Sequence, residues 1–356
     1  MSGFTRRLQQ SVHSVSGSGN SVPFLIGVDS QQPSSFATWK GRGCNAVARV
    51  PQGTTIDSWT TGANQNGLYM LRTARPNPAD DSAESLLVAW TQPDEADKGN
   101  TDPATLQATY NSLKSTDASR PVFINFSGGV VLQKQTSDNG TTVSDATYQS
   151  YIAAADWVSN DIYPVTGWNQ PTHLNWVGQA IDKLTGLSSG RPQFAFIETS
   201  DQNLTADPSA PGVTPDQFRA EVWDAIVHGA RGIIYFPEAF NPFSFDATPS
   251  NVVTEMTTQN TTLTALSSVL IDTINPGGMS VNVSTPLEAC WRNSGGKKYA
   301  IVLNMSSTAT NGAAITLSGF GSAPSASVYG ESRTVTVSGG VITDDFAAYA
   351  VHIYVL

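Results

Sequence analysis

Eight short apolar runs punctuate the first 240 residues, at 24–29, 45–50, 68–72, 86–90, 121–126, 156–164, 192–200 and 232–236. Each is short enough for a strand buried on both faces. Between them the period changes. Leu106, Tyr110 and Leu113 recur at helical spacing within 101–117, and Leu174, Val177, Ile181 and Leu184 do so within 172–185, with Gly186 as a stop. Segments 34–39, 144–154 and 252–273 also read as helix. Thr214-Pro215-Asp216-Gln217 is a capping box with proline at the first helical position, opening a helix that buries Phe218, Val222 and Ile226. Apolar strands alternating with helices predict a parallel α/β structure, and eight of them predict a closed (β/α)8 TIM barrel.

From Pro276 the helical period disappears. Short alternating runs separated by Gly/Ser turns, with Gly295-Gly296 and Gly339-Gly340 as hairpin signals, predict a small all-β sandwich domain. The expected organisation is a loose polar arm at 1–22, a catalytic barrel at 23–275 and a sandwich at 276–356. The sandwich is expected to support the barrel and take no part in the chemistry. The arm lacks the apolar segment of a signal peptide, and the chain itself does not fix a compartment.

Composition narrows the partner. The net charge is −10 and the pI about 4.7, against the basic face that phosphate binding needs. Charged residues make up only 13% of the chain, so an uncharged polar surface, suited to a neutral sugar, is expected. No run approaches the roughly 18 apolar residues of a membrane span. The two cysteines, Cys44 and Cys290, have no C-x-x-C spacing and read as buried free thiols rather than a disulfide. Four scattered histidines without H-E-x-x-H predict no metal site, and the absence of G-x-G-x-x-G after the first strand predicts no nucleotide cofactor. Nothing in the sequence sets the oligomeric state.

Acids mark the ends of the apolar runs. Asp29 closes the first. Asp94 and Glu95 follow the fourth past Pro93, Asp161 lies in the sixth, Glu198 closes the seventh and Glu238 follows the eighth. The C-terminal ends of barrel strands are where such a fold presents catalytic groups. W-T-Q-P-D-E at 90–95, D-I-Y-P at 161–164, I-E-T-S at 197–200 and G-A-R-G-I-I-Y-F at 229–236 together resemble the retaining glycoside hydrolases of the clan A type. These are (β/α)8 barrels, many with a C-terminal sandwich, and the resemblance spans about residues 23–356.

The resemblance implies a poly- or oligosaccharide substrate, β-linked, cleaved by double displacement. Glu95 would be the acid/base and Glu198 the nucleophile, their carboxyls about 5–5.5 Å apart for retention. It implies that Tyr163 hydrogen-bonds the nucleophile. Arg49 would hold that nucleophile ionised, or serve as a structural ion-pair partner. One departure stands out: Asp94 occupies the place of an asparagine that binds the sugar 2-hydroxyl, leaving open whether Asp94 or Glu95 faces substrate. Asp29, Asn125 and Asp161 are candidate hydroxyl partners, and Glu238 is the rival nucleophile. Trp90, Trp157, Trp168, Tyr235, Phe236 and Phe240 are candidate sugar-stacking rings. The alternative is a carbohydrate-binding or structural barrel without catalysis.

Overall fold

Strands rich in Val, Ile, Phe and Ala can be buried on both faces only if one face meets helices and the other meets itself across a closed sheet. That is the architecture of the computed structural model, which describes residues 16–17, 20–132, 143–202 and 212–356. Most of the expected arm lies outside the described residues; Ser16–Gly17 and Asn20–Ser21 form a two-residue antiparallel pair. The eight barrel strands are β1 (Leu25–Asp29), β2 (Ala46–Ala48), β3 (Tyr69–Arg72), β4 (Leu87–Thr91), β5 (Val122–Phe126), β6 (Trp157–Asn160), β7 (Gln193–Glu198) and β8 (Ala230–Phe236). All pair in parallel, and β8 closes on β1 through Ile233↔Ile26 and Ile234↔Gly27.

Alternation along the strands builds two layers. Leu25, Ala46, Ala48, Leu71, Phe123, Trp157, Phe194, Phe196 and Ile234 fill the barrel interior. Ile26, Val28, Val47, Met70, Ile124, Val158, Ala195, Ile197 and Ile233 pack outward with the helices. These are α1 (Phe36–Gly41), α2 (Ile56–Asn66), α3 (Pro103–Thr116), α4 (Asp145–Ala153), α5 (Trp176–Leu187), α6 (Pro215–Val227) and α7 (Ser250–Ala265). The capping box at Thr214 and Gln217 forms as expected.

Helix α2 is not among the helices expected from the sequence, although Ile56, Trp59 and Ala63 lie on one face. It is held by Trp59 and Ala63, both fully buried, and by Gly62, where a Cβ would lie 2.8 Å from Pro33. The sixth run gives a shorter strand than expected: β6 ends at Asn160, and Asp161, Tyr163 and Pro164 enter the following loop.

The C-terminal strands are β9 (Ser280–Asn282), β10 (Leu287–Ser294), β11 (Lys297–Asn304), β12 (Thr310–Ser318), β13 (Ser325–Val328), β14 (Arg333–Ser338), β15 (Val341–Phe346) and β16 (Val351–Val355). They form one antiparallel sheet in the order β9-β12-β15-β14-β13-β16-β11-β10. The sheet curls until its two end strands approach, enclosing Trp291, Ile315, Ile342, Phe346 and Tyr354. Ile274 and Asn275 pair with Arg292 and Trp291 of β10, so the connection is short and fastened. Both cysteines are buried free thiols.

The most deeply buried ion pair sits beside β3. Arg72 and Asp81 are both fully buried, 2.7 Å apart, and Asp81 also accepts from Trp90 Nε1 at 2.8 Å. Burial alone would raise the Asp81 carboxyl, but the bonds from Arg72 and Trp90 outweigh it and hold it at about 2. Removing one partner leaves an uncompensated buried charge, so Asp81→Ala should cost roughly 3–5 kcal/mol in urea unfolding. A loss below 1 kcal/mol would contradict this account.

Candidate active site

The inward phase of the strands brings a cluster of acids to the C-terminal mouth of the barrel. Asp29 continues the phase of Leu25, and Asn125 that of Phe123. Arg49 follows β2 with a left-handed backbone, φ 54°, which swings its side chain across the opening. Its guanidinium donates to Asp29 Oδ1 at 2.7 Å and Oδ2 at 2.5 Å, and also contacts Asp94 Oδ2. It lies over the Phe196 ring at 5.0 Å. Asn125 Nδ2 donates to Asp94 at 3.1 Å and to Asp161 at 2.9 Å, while its Oδ1 accepts from Ser159 at 3.0 Å. Asp29, Arg49, Asp94, Asn125 and Asp161 thus form one connected network.

Glu95, at φ 43°, pairs with Lys98 at 3.0 Å. Burial and then the charge of Glu95 push the Asp161 carboxyl well above its ordinary range, with Arg49 and Asn125 pulling the other way. Asp161 Oδ1 and the Tyr163 hydroxyl are buried and, among the described residues, accept or donate no hydrogen bond. Glu238, 9% exposed, closes the cluster from β8; burial and then the charge of Asp29 raise it to about 7, against the pull of Arg49. Tyr163, Phe236 and Phe240 stack in series, with centroids 5.0 and 6.0 Å apart, and Phe240 is 46% exposed. Phe243, not singled out in the sequence, extends the rim at 57% exposure.

Glu198 does not join this network. Its carboxylate is fully buried and accepts from Val165 N and Thr166 N, each at 2.7 Å, and from the Thr166 hydroxyl. Burial raises it, opposed by Glu221 of α6 and by these donors. The partners implied for a nucleophile are elsewhere: Arg49 grips Asp29 and Asp94, and the Tyr163 hydroxyl is unpaired.

The remaining candidate rings differ in their surroundings. Trp90 is sealed outside the barrel, its Nε1 on Asp81 and Arg120 over its ring at 4.8 Å. Tyr235 is fully buried and donates to Asn260 Oδ1 at 2.5 Å behind β8. Trp157 is interior packing, 5.0 Å from Phe194. Trp168 is half-buried beside Gly128, where a Cβ would lie 2.9 Å from its Nε1. Asp97 was not singled out in the sequence. It is buried and accepts from Ser127 N, Ser127 Oγ and Tyr148, fixing the loop that carries Asp94 and Glu95.

Comparison with known proteins agrees with the architecture. Residues 104–274 match the model of glycoside hydrolase family 42, described as beta-galactosidase. No curated protein sequence matches. Among solved structures, AmyP in complex with maltose superposes with a TM-score of 0.57 at 7% identity, over 91% of this chain and 88% of that one. Eubacterium rectale Amy13B gives 0.57 at 9% identity, over 94% of each chain. At such identities these two show the fold alone. Residues 104–274, from α3 through the closing helix of the barrel, are thus similar to a glycoside hydrolase family, and the chain folds as a closed (β/α)8 barrel with an appended all-β domain.

The raised Glu238 carboxyl makes a stability prediction. The folded state keeps a proton at Glu238 that the unfolded chain releases near 4.5. Between pH 4.5 and about 7 the folded state therefore holds more protons, and stability falls as pH rises. Glu238→Gln should match the wild type near pH 4 and melt higher than it at pH 8. Parallel melting curves at the two pH values would refute the raised carboxyl.

Proposed function

We propose that the chain is a glycoside hydrolase whose chemistry runs at the mouth cluster, with Glu238 as proton donor and Glu95 as the carboxylate opposite it. Glycosidic cleavage needs one protonated carboxyl for the leaving oxygen and one carboxylate for the developing charge at C1. The observation that carries the reading is Glu238. A carboxyl raised to about 7, at the end of a barrel strand and reachable from solvent, is matched to general acid work near neutrality. Glu95 emerges after β4, half the barrel away from β8 in strand order.

The remaining groups suit sugar recognition. Buried polar atoms without partners are rare and costly, so Asp161 Oδ1 and the Tyr163 hydroxyl fit as partners for substrate hydroxyls. Asp29 and Asp94, held by Arg49, and Asn125, held by Asp94, Asp161 and Ser159, present further oxygens and donors. The Tyr163–Phe236–Phe240 series offers flat faces for the C–H side of a sugar ring. The family match favours a β-linked glycoside. The seclusion of Glu198 supports a second reading, a barrel that binds carbohydrate without cleaving it.

A panel of aryl glycosides and polysaccharides separates the two, with turnover expected. Glu238→Gln should lower kcat/KM on poor leaving groups by about 10²–10⁴-fold, with little effect on activated ones. It should also erase the fall in rate above pH about 7. Glu198→Gln should keep most of the activity. Full activity in Glu238→Gln with loss in Glu198→Gln would return the assignment to the strand-seven glutamate. NMR of the anomer formed first reads the expected retention.

A further inference from the structure

Where the C-terminal end of α6 meets the appended sheet, just before the chain enters β8, four side chains converge. Asp224 lies in the last turn of α6 and His228 caps that helix, one turn later on the same face. Glu288 comes from β10 of the sheet and Asp182 from α5. His228 Nε2 is 2.6 Å from Glu288 Oε2 and 3.5 Å from Asp224 Oδ1; these donor atoms of Asp224, His228 and Glu288 all lie within 4.8 Å of one another. The other ring nitrogen, Nδ1, is 3.0 Å from Asp182 Oδ2.

We propose that Asp224, His228 and Glu288 form a binding site for a divalent transition-metal ion of the zinc type, bridging the barrel and the appended domain. Three observations carry this independently of the mouth. Asp224 is fully buried; its Oδ2 accepts from Gly178 N at 2.6 Å, while Oδ1 points at the cluster without a hydrogen-bond partner. Ligands of a tetrahedral ion at about 2.0–2.1 Å stand roughly 3.3 Å apart; His228 Nε2 and Asp224 Oδ1 at 3.5 Å are near that spacing, and an ion would open the 2.6 Å contact between His228 and Glu288. A metal-bound imidazole characteristically gives its second N–H to a carboxylate, the place Asp182 takes at 3.0 Å.

The site is also tightly walled. A Cβ on Gly178 would lie 2.3 Å from His228 Cδ2 and 2.7 Å from Asp224 Oδ1, so any side chain there would displace both groups. Charge points the same way. Three carboxyl groups face one imidazole, leaving a deficit of positive charge that a divalent cation fills. One nitrogen and two oxygen donors favour zinc over magnesium or calcium, which prefer all-oxygen shells. A fourth position is left for water or a second oxygen of Glu288.

The test is calorimetric titration of zinc chloride into the full-length chain after dialysis against EDTA, with bound metal counted by atomic absorption. The expected result is one zinc per chain and a melting temperature raised by several degrees at ~100 times Kd. Magnesium should give no heat. His228→Ala and Glu288→Gln should abolish the stoichiometric site. Asp182→Asn, a change at an exposed residue that leaves the fold intact, should weaken it by about 10–100-fold. Absence of binding in the wild type would overturn the proposal. So would unchanged binding in His228→Ala, which would place the metal on other surface groups.

Discussion

The mouth of this barrel depends on one cation. The C-terminal ends of parallel strands and the loops after them converge Asp29, Asp94 and Asp161 into a space bounded by low-dielectric side chains. Like charges there repel far more strongly than in water. Arg49 answers this by bridging Asp29 and Asp94 and resting on Phe196. Its left-handed backbone is a small strain held by the surrounding structure, the kind that collects at functional positions. Without that guanidinium, the Asp29 and Asp94 carboxyls would have no cation beside them.

With it, the carboxyls diverge. Glu238 and Asp161 are raised by burial and by a neighbouring acid, while Asp29 and Asp94 share the arginine. Separation of titrating groups by their surroundings is what assigns acid and base roles in a site built of chemically similar residues. Glu198 meets a different fate. Two backbone N–H groups and a hydroxyl take its oxygens, and Glu221 faces it from α6.

The barrel was legible because its signal is redundant: eight apolar runs, each a few residues long, and helices with clear stripes or caps. Asp29, Arg49, Asp94, Asn125, Asp161 and Glu238 were legible as strand-end polar residues, and they do meet. What sequence could not carry was direction after a strand ends. Glu198 follows Phe194 and Phe196 in phase, yet the loop at 165–166 captures its carboxyl. Trp90 looks like a ring at the mouth, but β4 shifts register at Met70/Leu71 of its neighbour, and the indole lies outward on Asp81. Helix α2 was missed because its apolar face, Ile56, Trp59 and Ala63, is sparse among Thr, Asn, Gln and Gly.

The same limit applies to the junction of the two domains. His228 and Asp224 are four residues apart, but Asp182 lies 42 residues before Asp224 and Glu288 lies 60 after His228, distances no motif spans. Only folding brings them together, and what brings them is packing. Arg292 of β10 is buried and donates to Leu270, Asp272 and Ile226 carbonyls, satisfying backbone oxygens where helices of the barrel end. That arginine seats β10 against α6 and so carries Glu288 to His228. The appended sheet is thus fixed to the barrel by polar contacts from the Arg292 guanidinium as well as by apolar contact. Such a junction holds its register, because sliding the sheet by one residue would strand a buried guanidinium and an imidazole at once.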